Sequence, residues 1–249
     1  MTLSSSQRIF EALRSDILSG KMSPGERLPP ERSLAEDYAT NRNTLREALR
    51  KLEQLGLVRA RQGQGITVQD FRRQGTLELL TPFLISGREV GERVSVLVDL
   101  LQARRQVLKS TLEMVAERHT REDLARLETL ARAQLDAFER GDTDAVVRGD
   151  LALIDTFFDA AHSLTFRWIA NSLLQVAREI VERFPALWIQ DPDYPRVIAA
   201  LMDALRAREG QEAAALLDAY YAKTDARIVE LLGAISAHME EGDAEEEET

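Results

Sequence analysis

The chain contains no cysteine among its 249 residues, which excludes disulfide bonds and thiolate chemistry. Histidine is scarce, and its three copies are scattered, so no nucleophile is paired with a base. No glycine-rich phosphate loop is present, and no apolar run approaches the roughly 20 residues that span a bilayer. These absences argue against an enzyme and against a membrane protein, and the lack of cysteine fits a reducing, cytoplasmic compartment.

Charge is distributed unevenly along the chain, whose net charge is −10. Residues 1–75 contain 13 Lys and Arg against 9 Asp and Glu, whereas the remaining residues contain 19 against 33, so the two parts carry net charges of +4 and −14. This asymmetry is typical of a nucleic-acid-binding module joined to an acidic one. We expect a basic domain over 1–70, a linker over 71–76, a second domain over 77–240 and an acidic, disordered tail over 241–249.

The basic segment combines helical periodicity with one change of period. Apolar residues recur at helical spacing from Ser5 to Leu18, over a short second stretch from Glu31 to Tyr38, and again from Leu45 to Leu55. The following segment, "LVRARQGQGITV", suits two short strands joined by a glycine-containing turn. Three helices and a β-hairpin within about 70 residues predict a winged helix-turn-helix domain, which binds DNA.

The third predicted helix carries a cationic face opposite its leucine stripe. Arg42, Asn43, Arg46 and Arg50 lie on that face. A helix in the major groove reads bases with side chains near its N-terminus, where arginine can bond bidentately to guanine and asparagine to adenine. An exposed arginine stripe alone is more often a solvated surface. Here it coincides with a short preceding helix and a hairpin, which together favour DNA binding.

From Leu77 onward the pattern is helical, with no strand signal. We expect helices over 75–87, 91–116, 121–139, 143–162, 165–185, 192–208 and 210–237. The predicted fold is therefore mainly α, with an N-terminal winged helix-turn-helix domain and a C-terminal antiparallel all-α helical bundle.

The stretch "SDILSGKMSPGERLPPERSLAEDYATNRNTLREALRKLEQLGLVRARQGQGITV" resembles the N-terminal domain of GntR-family bacterial transcription regulators. The resemblance covers residues 8–68 with hardly a gap. It implies a homodimer that binds double-stranded DNA at a palindromic operator. The DNA-contacting positions that it implies are Arg32, Asn41, Arg42, Asn43, Thr44, Arg46, Gln62 and Gly63. The family usually has threonine-rich or serine-rich variants of "TNRNT", which implies a different operator sequence.

The helical part resembles the effector-binding and dimerisation domain of the FadR subgroup, through "LLQARRQVLKSTLEMVAERHTREDLARLE" and "DTFFDAAHSLTFRWIANSLL". The resemblance implies a small-molecule effector such as a fatty acyl-CoA, a fatty acid or another organic acid. The candidate effector-binding residues are Arg104, Arg105, Asp155, Tyr220 and Thr224. For Arg104, an ion pair with a neighbouring carboxylate is nearly as good an interpretation as a ligand clamp. Trp168 and Trp188 suit either a pocket or the core.

Many members of that subgroup bind a divalent metal through one aspartate and three histidines. Asp155 keeps the aspartate position, but Asp159 stands at the first histidine position, and Ile198 and Tyr220 fall in the regions of the other two. Because an isoleucine cannot ligate, we expect no metal site. A remnant site at Asp155, Asp159 and His162 is the less favoured alternative to the polar edge of a helix.

Three functional hypotheses follow from the sequence. The favoured one is an effector-responsive, sequence-specific transcriptional regulator, such as a repressor in fatty acid metabolism. The alternatives are a metal-dependent regulator that senses organic acids and an architectural DNA-binding protein without an effector. None of the three requires a membrane partner.

Overall fold

The computed structural model describes residues 4–87, 89–183 and 191–247, so Trp188 lies outside the described residues. The chain divides into two compact units, Met1–Val96 and Leu97–Thr249. Among the described helices, none is long and apolar enough to cross a membrane.

The N-terminal unit begins with the three predicted helices, α1 (Ser5–Leu18), α2 (Glu31–Asp37) and α3 (Arg42–Gln54). Each helix turns its apolar stripe inward, and Leu13, Leu45 and Leu52 are fully buried. Gly56 ends α3 with a φ of +71°, in the left-handed region that glycine adopts without strain. These three helices form the helix-turn-helix core that the sequence predicts.

The predicted hairpin consists of β1 (Val58–Arg61) and β2 (Gly65–Val68), which pair antiparallel in the register Val58↔Val68. The segment before α2 lies along the other edge of β2, since the Leu28 amide donates to the Ile66 carbonyl at 2.9 Å. Val58, Ile66 and Val68 are buried, so one face of the hairpin packs on the helices.

The first unit extends beyond the boundary predicted near residues 70–76. After β2 come α4 (Phe71–Gln74), a 3₁₀ turn (Leu77–Leu79) and α5 (Leu80–Ser86). Leu79 and Phe83 are buried in the same core as α1 and α3, and the rings of Phe71 and Phe83 lie 5.7 Å apart. The expected linker and first helix of the second domain therefore belong to the N-terminal unit, because their apolar side chains complete its core.

The C-terminal unit is a helical bundle. Its elements are the part of α6 (Val90–Arg118) from Leu97 onward, α7 (Arg121–Glu139), α8 (Thr143–Ala160), α9 (Leu164–Arg183), α10 (Tyr194–Arg206) and α11 (Gly210–Glu247). Thr120 and Asp123 form a capping box at the start of α7, and Asp142 caps α8. The core includes Leu112, Leu127, Phe157, Leu201 and Leu205.

Helix α11 continues to Glu247, so residues 241–247 of the expected disordered tail are helical. Alanine and glutamate are good helix formers, and extending an existing helix is easier than nucleating a new one. Charge repulsion among the glutamates favours disorder in an isolated segment, but helix propensity prevails where the segment continues a helix.

Candidate nucleic-acid interface and effector cleft

The start of α3 is held by Asn41, whose Oδ1 accepts a hydrogen bond from the Thr44 amide at 2.9 Å. This cap fixes the first turn of the helix, and Arg42 and Asn43 stand exposed on that turn. In the turn before the cap, Ala39 adopts a φ of +46°, a conformation that L side chains rarely adopt. The Asn41 amide group keeps its two donors, so the residue can cap the helix and still face a phosphate.

Two of the predicted DNA-contacting arginines are paired within the unit. Arg46 Nε donates to Glu31 Oε2 at 2.9 Å, which links α3 to α2, and Arg32 Nε donates to Glu36 Oε1 at 3.0 Å. The Arg46 and Arg32 side chains are 57% and 77% exposed. Ion pairs this exposed contribute at most about 1 kcal/mol, so a phosphate can compete for either arginine.

Arg42 and Arg50 are exposed and have no ion-pair partner within the described part of the chain. The opposite side of α3 is buried through Leu45, Ala48 and Leu49. The helix therefore presents guanidinium groups along one open face, as its periodicity predicts.

The hairpin tip is exposed from Gln62 to Gln64. Gly63 and the following Gly65 have φ angles of +75° and +82°, so the turn uses the conformational freedom of both glycines. The predicted residues Gln62 and Gly63 thus lie at the outermost point of the hairpin.

In the C-terminal unit, a mostly apolar cleft of about 90 Å³ lies between α6, α9 and α11. Leu101, Leu173, Ala177 and Ile228 are among its apolar lining residues, and Arg104 is the one charged residue among the described residues that line it. Apolar walls with a single charged group suit a ligand that has an apolar body and an anionic head.

Two neighbours restrict Arg104, the Asp225 carboxylate and the Tyr221 ring. Its Nη2 donates to Asp225 Oδ1 at 2.6 Å, and its guanidinium lies 4.2 Å from the ring centroid of Tyr221. Arg104 Nε and Asp225 Oδ2 are buried without a hydrogen-bond partner among the described residues. Burial raises the pKa of Asp225, although the positive charge of Arg104 opposes the rise. Arg104 is therefore paired internally and also borders the cleft.

A second buried carboxylate, Asp150 on α8, was missed by sequence reasoning. Its Oδ1 accepts hydrogen bonds from Gln134 Nε2 and from the Tyr194 hydroxyl, both at 2.5 Å. Burial raises the pKa of Asp150 to about 6. Burial also raises the pKa values of Tyr220 and Tyr221, so both phenols stay neutral. The only sequence signal was an aspartate at a position where the helical pattern expects an apolar residue.

The other predicted effector residues on α6 and α11 have contacts of their own. Arg105 pairs with Asp218 at 2.8 Å, and the Thr224 hydroxyl donates to backbone carbonyls of its own helix. Tyr220 packs between Tyr194 and Tyr221. The pairs Arg105–Asp218 and Tyr194–Tyr220 join different helices, and sequence spacing does not reveal which helices face each other.

The three residues of the remnant metal site face other partners. Asp155 pairs with Arg167 at 2.6 Å, Asp159 pairs with the same arginine at 3.1 Å, and His162 Nε2 lies 2.8 Å from Asp123 Oδ2. The guanidinium of Arg167 occupies the space in front of both carboxylates and would repel a cation. Within the described ranges, no group of three or more potential ligands could hold a metal ion.

Comparisons with known proteins agree with this architecture. Residues 5–68 match the bacterial regulatory proteins of the gntR family, and residues 99–223 match the FCD domain. The chain is 39% identical over 166 residues, 67% of each chain, to the HTH-type transcriptional regulator Mce2R of Mycobacterium tuberculosis (strain CDC 1551 / Oshkosh). It is 25% identical over 217 residues to the galactonate operon transcriptional repressor of Escherichia coli (strain K12), covering 86% of this chain and 92% of that one.

The fold is also similar to that of Lar, which controls the expression of the Listeria monocytogenes agr system. The TM-score is 0.59 at 14% identity, over 93% of this chain and 99% of that one. The chain belongs to the GntR family of bacterial regulatory proteins, in the FadR subfamily with an FCD effector domain, and it is a DNA-binding transcriptional regulator, not an enzyme.

Proposed function

We propose that the protein acts in the cytoplasm as a homodimeric regulator whose affinity for a palindromic operator responds to an organic anion. The observation that carries the proposal is the combination of an open arginine face on α3 with a separate apolar cleft bordered by Arg104. The first element recognises DNA and the second supplies a site through which a ligand can shift the protein between two states.

The direct readout of bases is assigned to the first turns of α3. Arg42 and Asn43 are exposed there, and Arg46 follows one turn later. Arg32, Asn41 and Thr44 surround the N-terminus of the helix, where contacts to phosphate oxygens would fix its position in the groove. Gln62 and Gly63 at the hairpin tip suit the minor groove, since glycine lets the backbone come close.

The effector is assigned to the cleft between α6, α9 and α11. Its volume of about 90 Å³ and its apolar walls suit the hydrocarbon part of a small organic acid. A carboxylate or phosphate could pair with Arg104, whose Nε is buried without a partner among the described residues. Fatty acids, acyl-CoAs and sugar acids share this anionic chemistry and are the classes to test.

Thermal-shift measurements against those three classes test the assignment. A ligand that binds the folded state raises the melting temperature, and Ala177→Trp should abolish the rise by filling the cleft from α9. Ala133→Trp, at an exposed position of α7, is the matched control. If no compound stabilises the wild-type protein, the effector proposal is wrong, and an architectural DNA-binding protein without an effector becomes the favoured function.

The homodimer is supported by an apolar surface on α9. Leu164 and Trp168, one helical turn apart, are 64% and 63% exposed, and Ile169 beside them is 39% exposed. Exposed clusters of this kind often mark interfaces. Two copies related by a twofold axis would present two α3 helices to the half-sites of a palindrome.

Native mass spectrometry of the wild type and of Trp168→Glu tests the surface. We expect a dimer for the wild type and mainly monomer for the variant, with Ala133→Glu as a control that stays dimeric. A variant as dimeric as the wild type would exclude this face of α9 from the interface.

In vitro selection from a randomised duplex library tests the DNA assignment. We expect the wild type to enrich a palindromic sequence, and Asn43→Ala to relax the preference at one position of each half-site. Enrichment of no sequence would overturn the proposal.

A further inference from the structure

The outward face of the hairpin carries three arginines side by side. In the ladder, Arg59 pairs with Thr67 and Arg61 pairs with Gly65, while Arg27 bridges Thr67 from the other edge of β2. Paired residues and residues two apart on one strand point to the same side of a sheet. Arg27, Arg59 and Arg61 therefore form one row, which we call the arginine row.

This row lies opposite the face that packs on the helices. Its three members are exposed, whereas Ile66 and Val68 on the other face are 7% and 1% exposed. Hydrophobic packing thus fixes which way the row points, because a slip of one residue would bury the arginines and expose the core.

No carboxylate neutralises the row within the described residues, where none of the three arginines has an ion pair or a side-chain hydrogen bond. The acids nearest in sequence are engaged with backbone amides. Glu26 accepts from the Ser23 amide at 2.8 Å, and Glu53 accepts from the Ala60 amide at 2.9 Å. Like charges this close repel one another, so an anionic partner would supply the neutralising charge that the row lacks within the fold.

We propose that the arginine row binds phosphates of the DNA backbone beside the site read by α3. This inference rests on the proposed function and adds a contact surface to it. Arg61 directly precedes the hairpin tip at Gln62, so a tip in the minor groove brings the row to the adjoining strand. The positive charge of residues 1–75 in an acidic chain fits the same partner.

Phosphate contacts position a protein on DNA without distinguishing base sequences, so the arginine row should affect affinity but not sequence preference. Removal of the row should weaken binding to all duplexes alike and leave the selected sequence unchanged. Because each neutralised phosphate releases counterions, the slope of log K against log salt should become less steep by about 0.9 for each phosphate that a variant no longer neutralises.

The test uses the full chain and a fluorescent duplex carrying the sequence that the wild type selects. The variant Arg27→Gln/Arg59→Gln/Arg61→Gln should lose about tenfold or more in affinity at physiological salt and about two to three units of slope. Its in vitro selection should yield the wild-type sequence. The variant Arg27→Lys/Arg59→Lys/Arg61→Lys keeps the charge and should retain most of the affinity. This comparison distinguishes a loss of affinity caused by lost charge from one caused by misfolding.

A control of equal charge change is Arg121→Gln/Arg140→Gln/Arg148→Gln, in exposed positions of the C-terminal unit. It should keep the wild-type slope. A glutamine row variant with the wild-type slope, or a control whose slope falls by as much, would overturn the inference while leaving the proposed function intact. A wild type that selects no sequence and binds no duplex would instead overturn the proposed function.

Discussion

Arginines on α3 and two arginines of the C-terminal helices have opposite surroundings. In the N-terminal unit, Arg42 and Arg50 are exposed and lack an ion pair within the described ranges, and Arg46 has only an exposed one. In the C-terminal unit, Arg104 and Arg167 are three-quarters or more buried and each lies 2.6 Å from an aspartate oxygen. The guanidinium groups of α3 are open to a partner, whereas those of Arg104 and Arg167 are each paired with an aspartate.

Charge alone therefore does not identify a binding surface. A buried arginine has lost its hydration and depends on its carboxylate, so removing either partner is strongly destabilising. An exposed arginine keeps its water and can exchange it for a phosphate with little effect on folding. The contrast predicts large stability effects in the C-terminal unit, and effects on DNA binding without loss of stability in the N-terminal unit.

Arg104→Ala should lower the unfolding free energy more than any other substitution proposed here. The substitution leaves the Asp225 carboxylate buried with neither oxygen paired, which costs about 3–5 kcal/mol of unfolding free energy. Trp168 lies in the C-terminal unit and residues 1–96 contain no tryptophan, so tryptophan fluorescence during urea unfolding does not report the N-terminal unit. The double variant Arg104→Met/Asp225→Leu removes both charges and should recover most of the loss. A cost below about 1 kcal/mol for Arg104→Ala would contradict the contrast between the units.

Asp150→Asn should have the second-largest effect, which is a change in how the unfolding free energy depends on pH. The folded-state pKa of Asp150 is raised to about 6, so the folded protein binds this proton more tightly than the unfolded chain does. Its contribution to stability is fully present below about pH 4 and is lost as the pH rises through 6, by up to about 3 kcal/mol. Asparagine keeps an acceptor for Gln134 and Tyr194 without titrating.

Urea unfolding at pH 5 and pH 8 measures this effect. The stability difference between Asp150→Asn and the wild type should shift in favour of the variant at the higher pH. Asp136→Asn, at an exposed position of α7, is the control and should follow the wild type. Parallel pH profiles for Asp150→Asn and the wild type would contradict the raised pKa.

Arg46→Ala should weaken binding to the selected operator by about 1–3 kcal/mol and change the unfolding free energy by less than about 1 kcal/mol. The physical reason is that its exposed pair with Glu31 contributes little, whereas alanine cannot form bidentate hydrogen bonds with a base. Arg148→Ala serves as the control for fluorescence anisotropy with the operator duplex. Unchanged affinity at physiological salt would remove Arg46 from the interface.

Glu31→Gln should have the smallest effect. It frees Arg46 from its internal partner and should change stability by less than about 1 kcal/mol. Operator affinity should rise by a few-fold, since a carboxylate no longer competes with DNA for the guanidinium. A fall in affinity would show that Glu31 holds Arg46 in its binding geometry, and the anisotropy assay distinguishes the two results.

Sequence reasoning was most successful where the signal is local. The stripe of Leu45, Leu49 and Leu52 predicted α3 and its open face, and the change of period after Leu57 predicted the hairpin. It did not reveal that Leu79 and Phe83 pack in one core with α1 and α3, because that contact joins residues far apart in the sequence. The partners of Asp150 and Asp225 were overlooked for the same reason, since they lie on other helices or far along the chain.

The sequence by itself shows that residues 1–75 have a net positive charge and that the arginines of α3 lie on the side opposite its leucines. Helical and strand periodicities are properties of consecutive residues, so they can be read without knowing the fold. Packing in three dimensions is what brings Arg104 to Asp225, 121 positions later, and Arg27 into one row with Arg59 and Arg61. Contacts between residues far apart in the sequence depend on which surfaces pack together. Many arrangements of the helices and strands are compatible with the same local patterns, and the packing of the core determines which one forms.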